Sequence, residues 1–147
     1  MNDIPATGRI LALDWGEIRI GVALSDETQL LASPLETLVR RRGKRFPMAR
    51  LLELVAAHLP VGLVVGLPLA LDGSDSDSTR AARALAALVE ERTRLPVELW
   101  DERLTTTRAL RAIREQGGTT RGRREDVDAL AASVLLQQVL DTRRNRA

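Results

Sequence analysis

The sequence predicts an α/β fold with a mixed five-stranded sheet and helices on both of its faces. Two observations support this class. The chain opens with three consecutive strand-like runs, and strand and helix patterns alternate after them. Consecutive strands without intervening helices form antiparallel pairs, whereas strand–helix–strand units form parallel pairs, so this order predicts a sheet that contains both.

The three opening strands are expected at residues 9 to 14, 17 to 24 and about 30 to 39. The first two are rich in β-branched and other apolar residues and are joined at Trp15 and Gly16, which is the pattern of a tight hairpin. The third run can extend the same sheet.

The remaining elements alternate between helix and strand. The run VGLVVGLP is apolar almost throughout and ends in proline, as expected for a strand that is covered on both faces. Elsewhere apolar residues recur at helical spacing. These patterns predict a helix over residues 46 to 59, a strand over 61 to 68, a helix from about 81 to 95, a strand over 97 to 100, a helix from about 105 to 116 and a last helix over about 125 to 142.

A polar loop, LDGSDSDS, precedes the second of these helices. Its aspartates, Asp72, Asp75 and Asp77, do not have the spacing of an EF-hand calcium loop. We assign them to capping of the helix that follows.

Length and composition indicate one domain over residues 1 to 147, long enough to bury its own core. The sequence has no Cys and a single His, His58, which excludes disulfides and thiolate zinc sites and argues against a Ser/His/Asp triad. Any metal must therefore have oxygen ligands, which favours Mg²⁺ or Mn²⁺. No apolar run is long enough to cross a membrane and the N-terminus lacks a signal-peptide pattern, so we expect a cytoplasmic protein.

Basic residues are clustered, although the formal net charge is only +2. The clusters are RRRGKR at 40 to 45, RGRR at 121 to 124 and RRNR in the C-terminal tail, which we expect to be flexible from about 143 to 147. Because the forked donors of Arg suit phosphate, several such clusters indicate an anionic partner. Each cluster alone is explained equally well as a solvated loop or a disordered tail.

Acidic residues lie at three places where the chain changes from one element to the next. Asp14 ends an apolar strand, and a carboxylate at the tip of a buried strand is expected to face a cation or a reacting group. Asp101 and Glu102 follow the strand VELW. Side-chain alternation puts these two on opposite faces of the strand and does not choose between them.

Asp126 and Asp128 lie in the first turn of the last expected helix. At about 100° per residue, Asp128 lies in the middle of the apolar face near Ala131 and Leu135, whereas Asp126 faces water. An acid at a helix N-terminus can simply favour the helix dipole. Because an unpaired buried carboxylate is costly, the inward direction of Asp128 favours a functional role. Together with Asp14 and an acid after the fifth strand, it predicts a metal-ion site.

Four segments in order, LDWGEIRIGVALSD, VVGLPLALDG, WDERLTTTRA and GRREDVDALAASVLLQ, closely resemble the motifs of the YqgF family. The resemblance covers nearly the whole chain and implies a ribonuclease H-like fold related to the RuvC Holliday junction resolvases. It also implies that the family's acids fall on Asp14, Glu102 and Asp128. Helix periodicity selects Asp128 independently, whereas the choice of Glu102 over Asp101 comes from the resemblance.

By this resemblance the protein is expected to be an endonuclease that hydrolyses phosphodiester bonds with one or two ions of Mg²⁺ or Mn²⁺. Asp14, Glu102 and Asp128 would be both catalytic residues and metal ligands, and Glu125 is a candidate additional ligand. The arginines expected to bind phosphates of the nucleic acid are Arg19, Arg103, Arg121, Arg123 and Arg124.

The resemblance leaves the substrate open between two nucleic acids. It slightly favours maturation of the 5′ end of pre-16S rRNA over resolution of Holliday junctions, which would require a symmetric homodimer. A nucleic-acid-binding module without catalysis is a weaker alternative. The opening hairpin also resembles that of actin-like ATPases, but those enzymes clamp a nucleotide between two such domains and this chain has the length of one.

Overall fold

The computed structural model describes residues 3–16, 19–39, 46–67, 76–102 and 124–146. The helix expected at about 105 to 116 lies outside these ranges. The described elements are β1 (Ile10–Asp14), β2 (Arg19–Ser25), β3 (Ala32–Val39), α1 (Met48–His58), β4 (Gly62–Leu67), α2 (Asp77–Thr93), β5 (Val97–Asp101) and α3 (Arg124–Arg146).

The strands form one mixed five-stranded sheet in the order β3-β2-β1-β4-β5. β2 pairs antiparallel with both β1 and β3, whereas β4 pairs parallel with both β1 and β5. The predicted combination of an antiparallel opening and parallel crossovers is therefore confirmed. β1 and β4 lie inside the sheet and are buried along their whole length, which explains their nearly continuous apolar sequences.

Helices cover both faces of the sheet, and each face has its own core. On one face, α3 packs on β1, β2 and β3. The α3 face contains Ile10, Ala12, Ala23 and Val64 from the strands and Ala132, Leu136, Val139 and Leu140 from the helix. The opposite face contains Leu11, Leu13, Val22 and Val65 from the strands, packed with Leu51, Leu54, Leu85 and Val89 of α1 and α2.

The N-terminus of α2 is capped by a serine of the preceding polar loop. Ser76 is the N-cap residue, and its Oγ accepts a hydrogen bond from the backbone N–H of Thr79 at 3.1 Å. Asp77 lies in the first turn, where a carboxylate favours the helix dipole. The cap is therefore Ser76 rather than Asp77, and Asp72 and Asp75 lie outside the described residues.

The C-terminal basic segment differs from expectation. Residues 143 to 146, expected to belong to a flexible tail, continue α3. Arg143 explains the difference, because its guanidinium donates to the backbone oxygens of Ile4 and Pro5 at 3.0 Å and lies 3.9 Å from Glu98. These contacts attach the end of α3 to the N-terminal segment. None of the described helices is both long and apolar enough to cross a lipid bilayer.

Candidate functional site

Asp14 is the last residue of β1 and is completely buried. Side chains alternate along a strand, so Asp14 shares the α3 face with Ile10 and Ala12. β1 is the middle strand of the sheet, with β2 on one side and β4 on the other. The fold thus places this acid at the carboxyl ends of the parallel strands, the edge where α/β sheets bind their ligands.

Glycines flank Asp14 on both neighbouring strands. Asp14 pairs with Gly21 of β2 and with Gly66 of β4. A Cβ atom at Gly21 would lie 1.9 Å from the backbone oxygen of Asp128, so α3 approaches the sheet this closely only because Gly21 has no side chain. A Cβ atom at Gly66 would lie 2.7 Å from Oε1 of Glu102. The two glycines therefore make room for two acidic residues, one on each side of Asp14.

Glu102 follows β5 directly and is only 3% exposed. Its backbone N–H donates to the oxygen of Leu67 at 3.3 Å, which holds it against the end of β4. Asp101 is exposed. Because the side chains of Asp101 and Glu102 alternate, the structure places Glu102, and not Asp101, on the face that carries Asp14.

Asp128 lies near the start of α3 and is completely buried, as helix periodicity predicted for its direction. Its Oδ2 accepts a hydrogen bond from Nε of Arg19 at 2.7 Å. Arg19 begins β2 two residues before Gly21, so both residues lie on the α3 face. The Arg19 side chain keeps 22% exposure. Asp128 is thus ion-paired with an arginine that reaches the surface.

The donor set is suited to a hard divalent cation. Asp14, Glu102 and Asp128 offer carboxylate oxygens, the ligand type that Mg²⁺ and Mn²⁺ prefer. The space over Gly66 that a Cβ would fill holds the Glu102 carboxylate, one strand away from Asp14. Within the described ranges no three His, Cys, Asp or Glu side chains are already grouped closely enough to bind a metal ion.

The basic residues expected at the site are described only in part. Arg19 lies in the site, but it contacts a carboxylate there. Whether the others approach the acids stays a prediction, since the structure does not describe Arg103, Arg121 and Arg123, nor the side chains of Arg124 and the candidate ligand Glu125.

Sequence reasoning missed the roles of Gly21 and Gly66. A glycine inside a strand often marks a position where another part of the chain approaches closely. Both glycines interrupt otherwise apolar runs, RIGVALS and GLVVGL, so this signal was present. It does not say which segment approaches, and that information comes only from the packing of α3 and the end of β5.

Solved structures of other proteins share this architecture. Thermus thermophilus RuvC in complex with Holliday junction substrate matches it with a TM-score of 0.54 over 92% of this chain and 96% of the RuvC chain. The sequence identity is 16%, so this likeness shows the fold alone. The protein therefore has the ribonuclease H-like fold that the sequence resemblance implied.

The family follows from closer sequence relatives. Residues 8–142 match the RuvX family, which is described as Holliday junction resolvase, and the chain belongs to this family, also called YqgF. A Koribacter versatilis relative is 46% identical over 92% of this chain and 88% of its own length. A Rhodopirellula baltica relative is 43% identical over 99% of this chain and 83% of its own. Both carry the name "Putative pre-16S rRNA nuclease". Membership of this family places the protein among hydrolases that act on nucleic acids.

Proposed function

We propose that the protein is a divalent-metal-dependent endonuclease that matures the 5′ end of pre-16S rRNA. One observation carries the catalytic part of the proposal. Gly21 and Gly66 let two buried acids approach the strand end that holds Asp14. The names of the relatives support the choice of ribosomal RNA.

Asp14, Glu102 and Asp128 would hold Mg²⁺ or Mn²⁺ in this arrangement. When bound, such an ion lowers the pKa of a coordinated water and stabilises the charge that develops on the leaving oxygen. The chain itself supplies the rest. The end of β1, the end of β5 and the start of α3 fix the direction of each carboxylate, and the buried core beneath them limits their movement.

Arginines would position the nucleic acid by contacts to its phosphates. Such contacts carry no base sequence, so binding should depend on the shape of the nucleic acid and weaken as the salt concentration rises. Arg19 reaches the surface beside the acids and is the described candidate for this role. The remaining candidates are Arg103, Arg121, Arg123 and Arg124.

The test compares wild type with Asp14→Asn, Glu102→Gln and Asp128→Asn on an end-labelled precursor with the 5′ leader of 16S rRNA. Loss of residues that only support metal ligands reduces activity about 10- to 100-fold, so removal of a ligand should reduce cleavage by more than about 100-fold. Cleavage should also require Mg²⁺ or Mn²⁺ and stop with EDTA. Asp101→Asn is the matched control, because the side chain of this neighbouring acid points to the other face of the sheet. The variant should cleave the RNA like wild type.

A labelled four-way DNA junction, tested in parallel, separates the two substrates. Holliday junction resolution, the second candidate, is named in the family description. Paired symmetric cuts in the junction, with the precursor RNA left intact, would show that the protein is a resolvase and would reject the ribosomal role. Binding of either nucleic acid without cleavage, under every metal condition, would favour a non-catalytic binding module.

A further inference from the structure

We infer that Arg19 and the divalent ion are alternative partners of Asp128, and that a nucleic-acid phosphate binds Arg19 and thereby releases Asp128 to the ion. This inference rests on the proposed function and adds a coupling between substrate and metal binding. Arg19 would act as a positioning residue that controls when the third carboxylate becomes available.

Arg19 and Asp128 form an ion pair at the site. Nε of Arg19 lies 2.7 Å from Oδ2 of Asp128, which is the distance of a charge-assisted hydrogen bond. Asp128 is completely buried, so its negative charge needs a compensating cation. The described arrangement provides Arg19 for this purpose. A metal ion bound to the same carboxylate would supply positive charge at the same place.

Asp128 and Arg19 differ in how freely their side chains can move. Asp128 cannot move away from the sheet easily, because its backbone oxygen lies against Gly21 and three alanines in the following turn of α3, Ala129, Ala131 and Ala132, are buried. Arg19 is less constrained, since it is the first residue of β2 and its long side chain is 22% exposed. An exchange of partners would therefore move the arginine side chain and leave the acid in place.

In this inference a phosphate of the nucleic acid draws Arg19 away from Asp128. Arg binds phosphate through several N–H donors of one planar group, so a phosphodiester at the rim of the site offers it a partner equivalent to the carboxylate. A phosphate that takes Arg19 leaves Asp128 without that cation, and the affinity of the acids for a divalent ion rises. By linkage, the bound ion must raise the affinity for the nucleic acid by the same factor.

The same exchange accounts for the spacing of the three acids in the described residues. The three acids are suited to a metal ion, yet no group of three is assembled among the described residues. In the proposed sequence of events, a phosphate favours assembly of the three acids around the ion, because it removes Arg19 from Asp128. The protein alone keeps Asp128 paired with Arg19, which compensates the charge of this buried carboxylate.

The experiment measures Mn²⁺ affinity of the full chain by isothermal titration calorimetry for wild type, Arg19→Gln, Glu102→Gln and Arg50→Gln. Arg50→Gln is the matched control, because it removes another arginine from a carboxylate pair, with Glu36, on the opposite face of the sheet. Arg19→Gln should bind Mn²⁺ more tightly than wild type, by about 5-fold or more given the usual range of coupling between sites. Arg50→Gln should bind like wild type.

The second measurement is the anisotropy of a fluorescein-labelled pre-16S leader RNA with phosphorothioate linkages that resist cleavage. Mn²⁺ should raise the affinity of wild type for this RNA by about 5-fold or more, and this increase should be lost in Arg19→Gln. The wild-type measurement tests the inference even if Arg19→Gln does not fold. The inference would be overturned if Mn²⁺ did not change the affinity of wild type for the RNA. It would also be overturned if Arg19→Gln bound Mn²⁺ no more tightly than wild type.

Glu102→Gln separates failure of the inference from failure of the proposed function. If Glu102→Gln bound Mn²⁺ more weakly than wild type and Arg19→Gln bound it equally well, the metal site would stand and only the exchange of partners would be rejected. Mn²⁺ binding that is the same in wild type and Glu102→Gln would reject the metal site itself, and with it both proposals.

Discussion

Replacing Gly21 by alanine should loosen the attachment of α3 to the sheet. The added Cβ would lie 1.9 Å from the backbone oxygen of Asp128 and 2.5 Å from its carbonyl carbon. Both are main-chain atoms, so no side-chain rotation can relieve the contact. Restoring an ordinary contact of 3.4 Å requires α3 and β2 to separate by about 1.5 Å at this point.

The size of the effect follows from the core that such a separation disturbs. Beyond Asp128, α3 buries Ala131, Ala132, Leu135 and Leu136 completely against the sheet. Overpacking of a dense core costs about 1 to 3 kcal/mol, and a clash between main-chain atoms belongs at the upper end of this range. We expect Gly21→Ala to lower the free energy of unfolding by about 3 kcal/mol. For a chain of this length, that corresponds to a fall in Tm of about 6 to 12 °C.

Urea and thermal unfolding, followed by far-ultraviolet circular dichroism, would measure this change. The cleavage assay at a temperature where the variant is folded would report the position of Asp128 separately, and activity should fall with it. A Tm within about 2 °C of wild type would refute the claim that helix and sheet are in contact through Gly21.

Three further predictions concern other positions. Gly66→Ala should reduce cleavage about 10- to 100-fold while costing about 1 kcal/mol, less than Gly21→Ala, because its Cβ meets side-chain rather than main-chain atoms, Oε1 of Glu102 at 2.7 Å and Cδ2 of Leu135 at 3.0 Å. Cleavage and unfolding measurements on one sample would show the large loss of activity beside the small loss of stability. The Asp26 pKa is lowered to about 2, chiefly by the backbone N–H of Leu31, so its stabilising effect is complete above the ordinary value of 3.8 and is lost as the pH falls towards 2. Urea unfolding of wild type and Asp26→Asn should therefore show a stability difference at about pH 6 that narrows below about pH 4; a difference that widens in acid would contradict this. Glu36, whose pKa is lowered by a hydrogen bond from an α1 arginine, is in a partly exposed ion pair, so Glu36→Gln should cost only about 0.5 kcal/mol, and less in high salt.

The sequence predicted the mixed sheet and the direction of one acid because both depend on local pattern. The nearly continuous apolar run at β4 indicated a strand covered on both faces, and helix periodicity placed Asp128 against the sheet. These signals are short in range, since the periodicity of apolar residues within a single strand or helix shows which side of it is buried. They remain valid wherever the element is finally placed.

The details of the site depended on information that no single segment contains. The choice between Asp101 and Glu102 requires the register of β5 against β4, because one residue of shift would exchange their faces. The ion pair between Arg19 and Asp128 joins residues 109 positions apart. The tail was expected to be flexible from its charge alone, yet Arg143 donates hydrogen bonds to the backbone oxygens of Ile4 and Pro5 in the N-terminal segment.

The contact between α3 and the opening hairpin also affects how the protein is made. During synthesis, Arg19 is produced 109 residues before Asp128, so the helix that covers Gly21 and Arg19 is made well after them. Until that helix folds back, the α3 face of the sheet exposes its apolar side chains and Arg19 has no buried aspartate beside it. A chain that has not yet formed α3 should therefore be prone to aggregate, and the candidate site should be complete only after α3 has packed on the sheet.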